Sequence, residues 1–170
     1  MVEVLIIYHT YGDGPVGRLA EGIRAGAEQV EGAVVTVKPV SEVSDEDLVR
    51  AGGIAIGSPK MPGHTVSPEI GALIGRMSEI REHLNYKVGA AFSGSHGSFG
   101  GQESVIGVIL RSFLLYNMAV IGQGAPEAGG SDFVGGVILE ELDGDTAAWA
   151  ARLGRRLAEM SVLVARGRSA

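Results

Sequence analysis

The sequence predicts a doubly wound, three-layer α/β domain built on a five-stranded parallel sheet in the order 2-1-3-4-5. Three observations carry this expectation. Short apolar runs alternate with segments of helical periodicity along the chain, the pattern of a sheet covered by helices on both faces. The runs are continuous rather than alternating, as in strands buried on both sides. The connections after the first, third and fourth runs are rich in glycine, and the connection after the second is not.

Val2 to Tyr8 reads as the first strand, followed by a loop from His9 to Gly17. Val16, Leu19, Ala20, Ile23, Ala27 and Val30 then recur at helical spacing, with Gly32 as a stop. Val34 to Val40 is the expected second strand. Ser44 is placed as the N-cap of a short helix through Asp47 to Ala51. Gly53 to Gly57 is the third strand, and Ser58 to Val66 a loop. Ser67 and Pro68 open a helix as N-cap and first-turn proline, with Ile70, Leu73, Ile74, Met77 and Ile80 on its apolar face.

The fourth strand is expected from Lys87 to Phe92. A loop made almost wholly of Gly and Ser follows it, Ser93 to Gly101. Gln102 to Tyr116 is a helix with Val105, Ile106, Ile109, Leu110 and Phe113 inward. Met118 to Ile121 is the fifth strand, and Gly122 to Gly136 is irregular. Residues 134–139 read as a sixth short strand or as an extension of the fifth. Trp149, Leu153, Leu157, Met160 and Val164 form the stripe of a final helix. A single domain is expected over residues 1–166, with 167–170 a frayed tail.

Composition narrows the function. The 170 residues suit one domain, and 45% hydrophobic with 20% charged residues is ordinary for a globular chain. With no cysteine, disulfides, a thiol nucleophile and a cysteine metal site are all excluded. The net charge of −6 and the lack of a basic patch argue against nucleic acid. The opening apolar run Val4-Leu5-Ile6-Ile7 is too short for a membrane span. A soluble cytoplasmic protein without membrane insertion is expected, with no metal site.

In a sheet of order 2-1-3-4-5 the three Gly-rich loops meet at the carboxyl ends of neighbouring strands, where winding reverses and such sheets bind ligands. The first is His9-Thr10-Tyr11-Gly12-Asp13-Gly14-Pro15-Val16-Gly17. It leads straight into a helix start, where free N–H groups and the dipole can hold a phosphate without a lysine. It is neither a Walker A loop nor the dinucleotide fingerprint, since no Gly-Lys-Ser/Thr occurs and no acidic residue ends the second strand. The second is Gly57-Ser58-Pro59-Lys60-Met61-Pro62-Gly63-His64, whose backbone could edge a flat ring while Lys60 or His64 supplies positive charge. A solvated Lys60 and an ordinary loop histidine at His64 are the simpler alternatives. The third runs Ser93-Gly94-Ser95-His96-Gly97-Ser98-Phe99-Gly100-Gly101-Gln102-Glu103 and carries too many glycines to be ordered cheaply.

At these residues the chain resembles the flavodoxin-like FMN proteins, most closely the WrbA-type NAD(P)H:quinone oxidoreductases and the NADPH-dependent FMN reductases. Gly57-Ser58-Pro59 is similar to that family's second flavin loop, and the third loop, ending Gly-Gly-Gln-Glu, is the most specific match. Gly32 to Lys38 matches the usual second strand. The resemblance implies FMN held by His9, Thr10, Tyr11, Gly12, Asp13, Gly14, Pro15 and Val16 at the phosphate. Around the ring it implies Ser58, Pro59, Lys60, Met61, Pro62 and Gly63, together with Ser93, Gly94, Ser95, His96, Gly97, Ser98, Phe99 and Gly100. There are three departures. The first loop lacks the family's Ser and Thr at their usual places, leaving Thr10, backbone amides and Arg18. The stretch after the fifth strand is shorter and lacks a histidine near the flavin. The second loop has no aromatic residue.

The implied function is transfer of electrons from NAD(P)H, through the cofactor, to a quinone or similar small acceptor. Lys60, His64 and His96 are candidates to tune the ring, and no catalytic acid is assigned. Two alternatives stand beside it: an electron carrier without its own NAD(P)H activity, and a fold that has lost its flavin. A carrier usually sandwiches the ring between aromatics and surrounds it with carboxylates; here the second loop has no aromatic, the third has only Phe99, and the loops carry few carboxylates. A phospho-receiver is excluded because the third strand ends in Gly57-Ser58 rather than an aspartate. The resemblance further implies a homodimer or homotetramer, and the apolar run Phe113-Leu114-Leu115-Tyr116 suits either an interface or a fully buried helix.

Overall fold

The computed structural model describes residues 1–94, 100–122, 136–138 and 144–168. The strands are β1 (Val2–Tyr8), β2 (Ala33–Pro39), β3 (Gly53–Pro59), β4 (Val88–Gly94), β5 (Ala119–Val120) and β6 (Gly136–Ile138). The helices are α1 (Pro15–Ala27), α2 (Asp45–Arg50), α3 (Pro68–Glu79), α4 (Gln102–Leu115) and α5 (Gly144–Arg168), with single 3-10 turns at Val40–Glu42 and Arg81–His83. The sheet runs β2-β1-β3-β4-β5 with every pairing parallel, the expected order.

The short strand β6 resolves the alternative left open for residues 134–139. Val88 and Gly89 of β4 pair with β5, and Phe92 to Gly94 pair with β6. Since β3 occupies the other edge of β4, β5 and β6 share one edge position, β6 carrying it on toward the carboxyl end. The fifth strand is thus shorter than the expected Met118–Ile121.

Strands β3 and β4 run two residues further than the apolar runs suggest. Ser58 pairs with Ser93 and Pro59 with Gly94. Polar residues and proline end an apolar run, but ladder pairing needs only backbone groups, so four expected loop residues are strand ends. The second strand gives Val40 to a 3-10 turn. Helix α1 stops at Ala27 rather than near Gly32, and a turn through Val30 reaches Gly32, whose φ of +91° suits glycine. In α5 the buried row is Ala150, Leu153, Leu157, Ala158 and Val162, with Met160 and Val164 packed at its margin. Trp149, expected in that stripe, is only half-buried. Helix α5 continues through Gly167 and Arg168 of the expected tail, and Ser169 and Ala170 lie outside the described residues.

Alternation along β1 divides the core. Leu5 and Ile7 pack toward α2, α3 and α4, while Val4 and Ile6 pack toward α1 and α5. Helices α1 and α5 cross at backbone contact: a Cβ on Gly26 would lie 1.8 Å from the Ala151 carbonyl oxygen, and one on Gly154 1.8 Å from that of Ile23. Ser44 caps α2 as expected, in a capping box with Asp47. Ser67 caps α3, with Pro68 in its first turn. Among the described residues, no helix is long and apolar enough to cross a membrane.

Candidate functional site

The first loop turns at Gly12 (φ +56°), with the N–H of Gly14 donating to the Tyr11 carbonyl at 3.2 Å. Gly14 is then the N-cap of α1 and offers no side-chain cap, and the first turn carries no carboxylate. Pro15 has no N–H, so the donors of the helix start are the backbone amides of Val16 and Gly17. Thr10 lies against this opening. Its Oγ1 is buried without a hydrogen-bond partner among the described residues, and a Cβ on Gly14 would approach it to 2.4 Å. A buried hydroxyl left unpaired is costly. Here it sits beside free amides at the positive end of a helix, an arrangement that fits a phosphate monoester.

The other residues expected at the phosphate divide. Pro15 and Val16 are buried in the α1 packing, while Tyr11, Gly12 and Asp13 are at the exposed tip. His9 continues the row of Leu5 and Ile7 and turns away from α1. Its Nε2 lies 3.4 Å from Oε2 of Glu69 on α3, and its ring meets Tyr11 edge-on at 4.7 Å. The sequence reading missed Glu69, and the only signal was an acid in the first turn after Ser67-Pro68.

The second and third loops are fastened to each other. Ser58 and Ser93 are fully buried, and their hydroxyls serve the frame. Ser58 Oγ accepts from the Ser67 N–H at 2.8 Å and donates to the Pro59 carbonyl, while Ser93 Oγ donates to the Ser58 carbonyl at 2.9 Å. Gly94 abuts Pro15, so the end of β4 touches the start of α1. Met61 and Thr65 form an antiparallel bridge, closing a tight turn over Pro62 and Gly63, with His64 at φ +58°. Lys60 is neither a solvated lysine nor a free cation: its Nζ donates to the Gly100 carbonyl at 2.8 Å. A Cβ on Gly101 would lie 2.7 Å from His64 Nδ1, so the imidazole packs on that glycine. Gly100 and Gly101, both at positive φ, thereby lead into α4 under a clasp from the second loop. Ser95, His96, Gly97, Ser98 and Phe99 lie outside the described residues.

No family model matches the sequence. A flavodoxin of Aquifex aeolicus is 34% identical over 173 residues, covering 99% of this chain and 91% of that protein. An NAD(P)H dehydrogenase (quinone) of Cupriavidus metallidurans is 31% identical over 145 residues, covering 72% of this chain and 71% of the relative. Among solved structures, a flavodoxin, WrbA-like protein from Agrobacterium tumefaciens superposes with a TM-score of 0.80 at 18% identity, over 96% of this chain and 99% of its own. These relatives imply a flavin cofactor, and the start of α1 with the unpartnered Thr10 hydroxyl fits the phosphate such a cofactor carries. On its fold, its full-length relative and its quinone-dehydrogenase relatives, the chain belongs to the flavodoxin-like flavoproteins, close to the WrbA type.

Proposed function

We propose that this protein is an FMN-dependent oxidoreductase that draws reducing equivalents from NAD(P)H and delivers them to a quinone or similar small acceptor. The observation that carries the cofactor is the buried, unpartnered Thr10 hydroxyl beside the uncapped start of α1. Val16 and Gly17 would donate to the phosphate through their amides and Thr10 through its hydroxyl. The ring would lie toward the carboxyl ends of β3 and β4, between the second loop and the stem at Gly100. Bound FMN supplies hydride acceptance and electron release; the protein supplies position and local charge. Lys60 makes the second loop cationic, and residues 58–66 contain no carboxylate and no Phe, Tyr or Trp, which favours an enzyme over a carrier. The relatives named as quinone dehydrogenases support the same reading.

One observation favours a second reading, a single-electron carrier: the relative matched over nearly the whole chain is named a flavodoxin. The two separate in one experiment. FMN fluorescence should be quenched by the purified protein at micromolar concentration. Under anaerobic conditions NADH or NADPH should then bleach the bound flavin without a partner reductase, and a quinone should restore the colour. FMN binding without bleaching would assign the carrier role, and the absence of any FMN binding would remove both. We further propose a homo-oligomer, because Leu114 and Leu115 are 56% and 76% exposed at the end of α4.

A further inference from the structure

Beside the first loop, on the α3 side of β1, lies a cleft of about 530 Å³ that meets the proposed cofactor site only at His9 and Thr10. Its size falls in the about 300–1,000 Å³ range of small-molecule sites. It is bordered by the ends of β1 and β2, the first loop at His9 and Thr10, the 3-10 turn after β2, and Glu69, Ala72, Leu73 and Arg76 of α3. Among the described residues, none of the second or third loop lines it. Thr10 borders both this cleft and the start of α1, so the cleft and the phosphate cradle are neighbours at the first loop.

The walls are largely apolar, with Pro39, Val40 and Leu73 among them. The polar groups are distinctive. Arg76 is already committed, its Nε lying 2.7 Å from Asp45 Oδ1 and its Nη2 donating to the Val43 carbonyl at 2.6 Å. Its charge is balanced, so the cleft is no phosphate cradle. At the other end His9 Nε2 is buried without a hydrogen bond of good geometry, 3.4 Å from the half-exposed Glu69 carboxylate. A carboxylate beside an unsatisfied imidazole suits a pair of hydroxyl groups, which can donate to one and bond the other. The same carboxylate repels a phosphate placed on that sugar.

We propose that this cleft receives the adenosine end of the pyridine dinucleotide. Glu69 and His9 hold the free ribose diol, so that NADH is preferred over NADPH. The inference rests on the oxidoreductase reading and deepens it. From β2 to β4 is three strand spacings, about 14 Å, a distance an extended dinucleotide spans from this cleft to a ring above β3 and β4. A carboxylate at the ribose is also how other doubly wound sheets select the unphosphorylated dinucleotide.

The test is calorimetric titration with ADP-ribose and its 2′-phosphate, on flavin-free and on FMN-saturated protein. ADP-ribose should bind both forms, about tenfold more tightly than its 2′-phosphate, the effect of one charge-dependent contact. Glu69→Gln should shrink that ratio. Ala72 is exposed on α3, so Ala72→Trp should fold normally and fill the cleft. It should weaken ADP-ribose and raise the KM for NADH by about tenfold or more, with FMN affinity and melting temperature unchanged. The inference is overturned if ADP-ribose does not bind, if Ala72→Trp leaves its affinity or the KM for NADH unaltered, or if FMN and ADP-ribose compete for the flavin-free protein. Failure of FMN itself to bind would count against the oxidoreductase reading alone, because the flavin-free titration reads the cleft independently.

Discussion

Thr10 is the residue whose environment asks for a ligand. Its hydroxyl is buried and has no partner among the described residues, so removing it should not weaken the fold. Thr10→Val should leave the melting temperature within a degree or so while weakening FMN by roughly ten- to a hundredfold, the worth of a hydrogen bond to a charged group. Fluorescence titration checks the affinity and thermal unfolding checks the fold. Lys60 acts differently, because its ammonium donates to the Gly100 carbonyl. Lys60→Met should speed FMN release several-fold, and Lys60→Arg should restore most of the loss by keeping a donor of similar reach. Stopped-flow release kinetics on the three proteins would reveal it. Equal rates in all three would remove the clasp from the account. Thr10 was legible in the sequence as a candidate of the first glycine-rich loop. The Lys60–Gly100 bond was not, since forty positions separate its ends and only the approach of β3 to β4 brings them together.

At the scale of elements, two devices can be tested. The crossing of α1 and α5 leaves no room for a side chain at Gly154. Gly154→Ala gains helix propensity, but the backbone clash with Ile23 should dominate and cost about 1–3 kcal/mol. Differential scanning calorimetry should show a melting temperature lower by several degrees. The second device is the start of α2. Asp47 accepts from the Lys38 ammonium at 2.8 Å and from the Ser44 N–H at 2.9 Å, and these bonds hold its carboxyl well below the usual aspartate value near 3.8. A lowered native pKa means that the unfolded chain binds the proton more readily. The stabilisation is therefore complete above about pH 5 and is lost progressively as pH falls through 4 and below. Denaturant unfolding between pH 6 and pH 3 should show a smaller loss of stability in Asp47→Asn than in the parent. Equal slopes would mean that other groups govern acid unfolding. The Ser44 cap was readable from its position before a short amphipathic segment, but its ion partner Lys38 lies on β2 and was not.

For the whole molecule, the order β2-β1-β3-β4-β5 gathers the ends of β1, β3 and β4 into one rim. The −6 net charge makes the chain anionic overall, yet the rim carries Lys60 and His64 on its second loop and no carboxylate there. Self-association belongs to this scale as well. Leu115→Lys, placed on the most exposed leucine of α4, should lower the mass measured by light scattering at micromolar protein if that helix end is the interface. An unchanged mass would locate the contact elsewhere.

The sequence by itself determined the architecture. Apolar runs of strand length, helical periodicity between them and glycine at three connections are local signals, and the handedness of βαβ crossings leaves few ways to assemble them. It also placed the three glycine-rich connections at the ends of neighbouring strands, the rim where the cofactor is proposed. What only the tertiary structure decided was the work of each side chain in those loops. Ser58 and Ser93 read as residues of the cofactor loops, but their hydroxyls bond the frame, because strand pairing carries them below the rim. His9 reads as a phosphate residue but turns to Glu69, because alternation along β1 puts it on the α3 side. Side-chain direction depends on register and on the neighbour across the sheet, and neither is written in the spacing of residues along one chain.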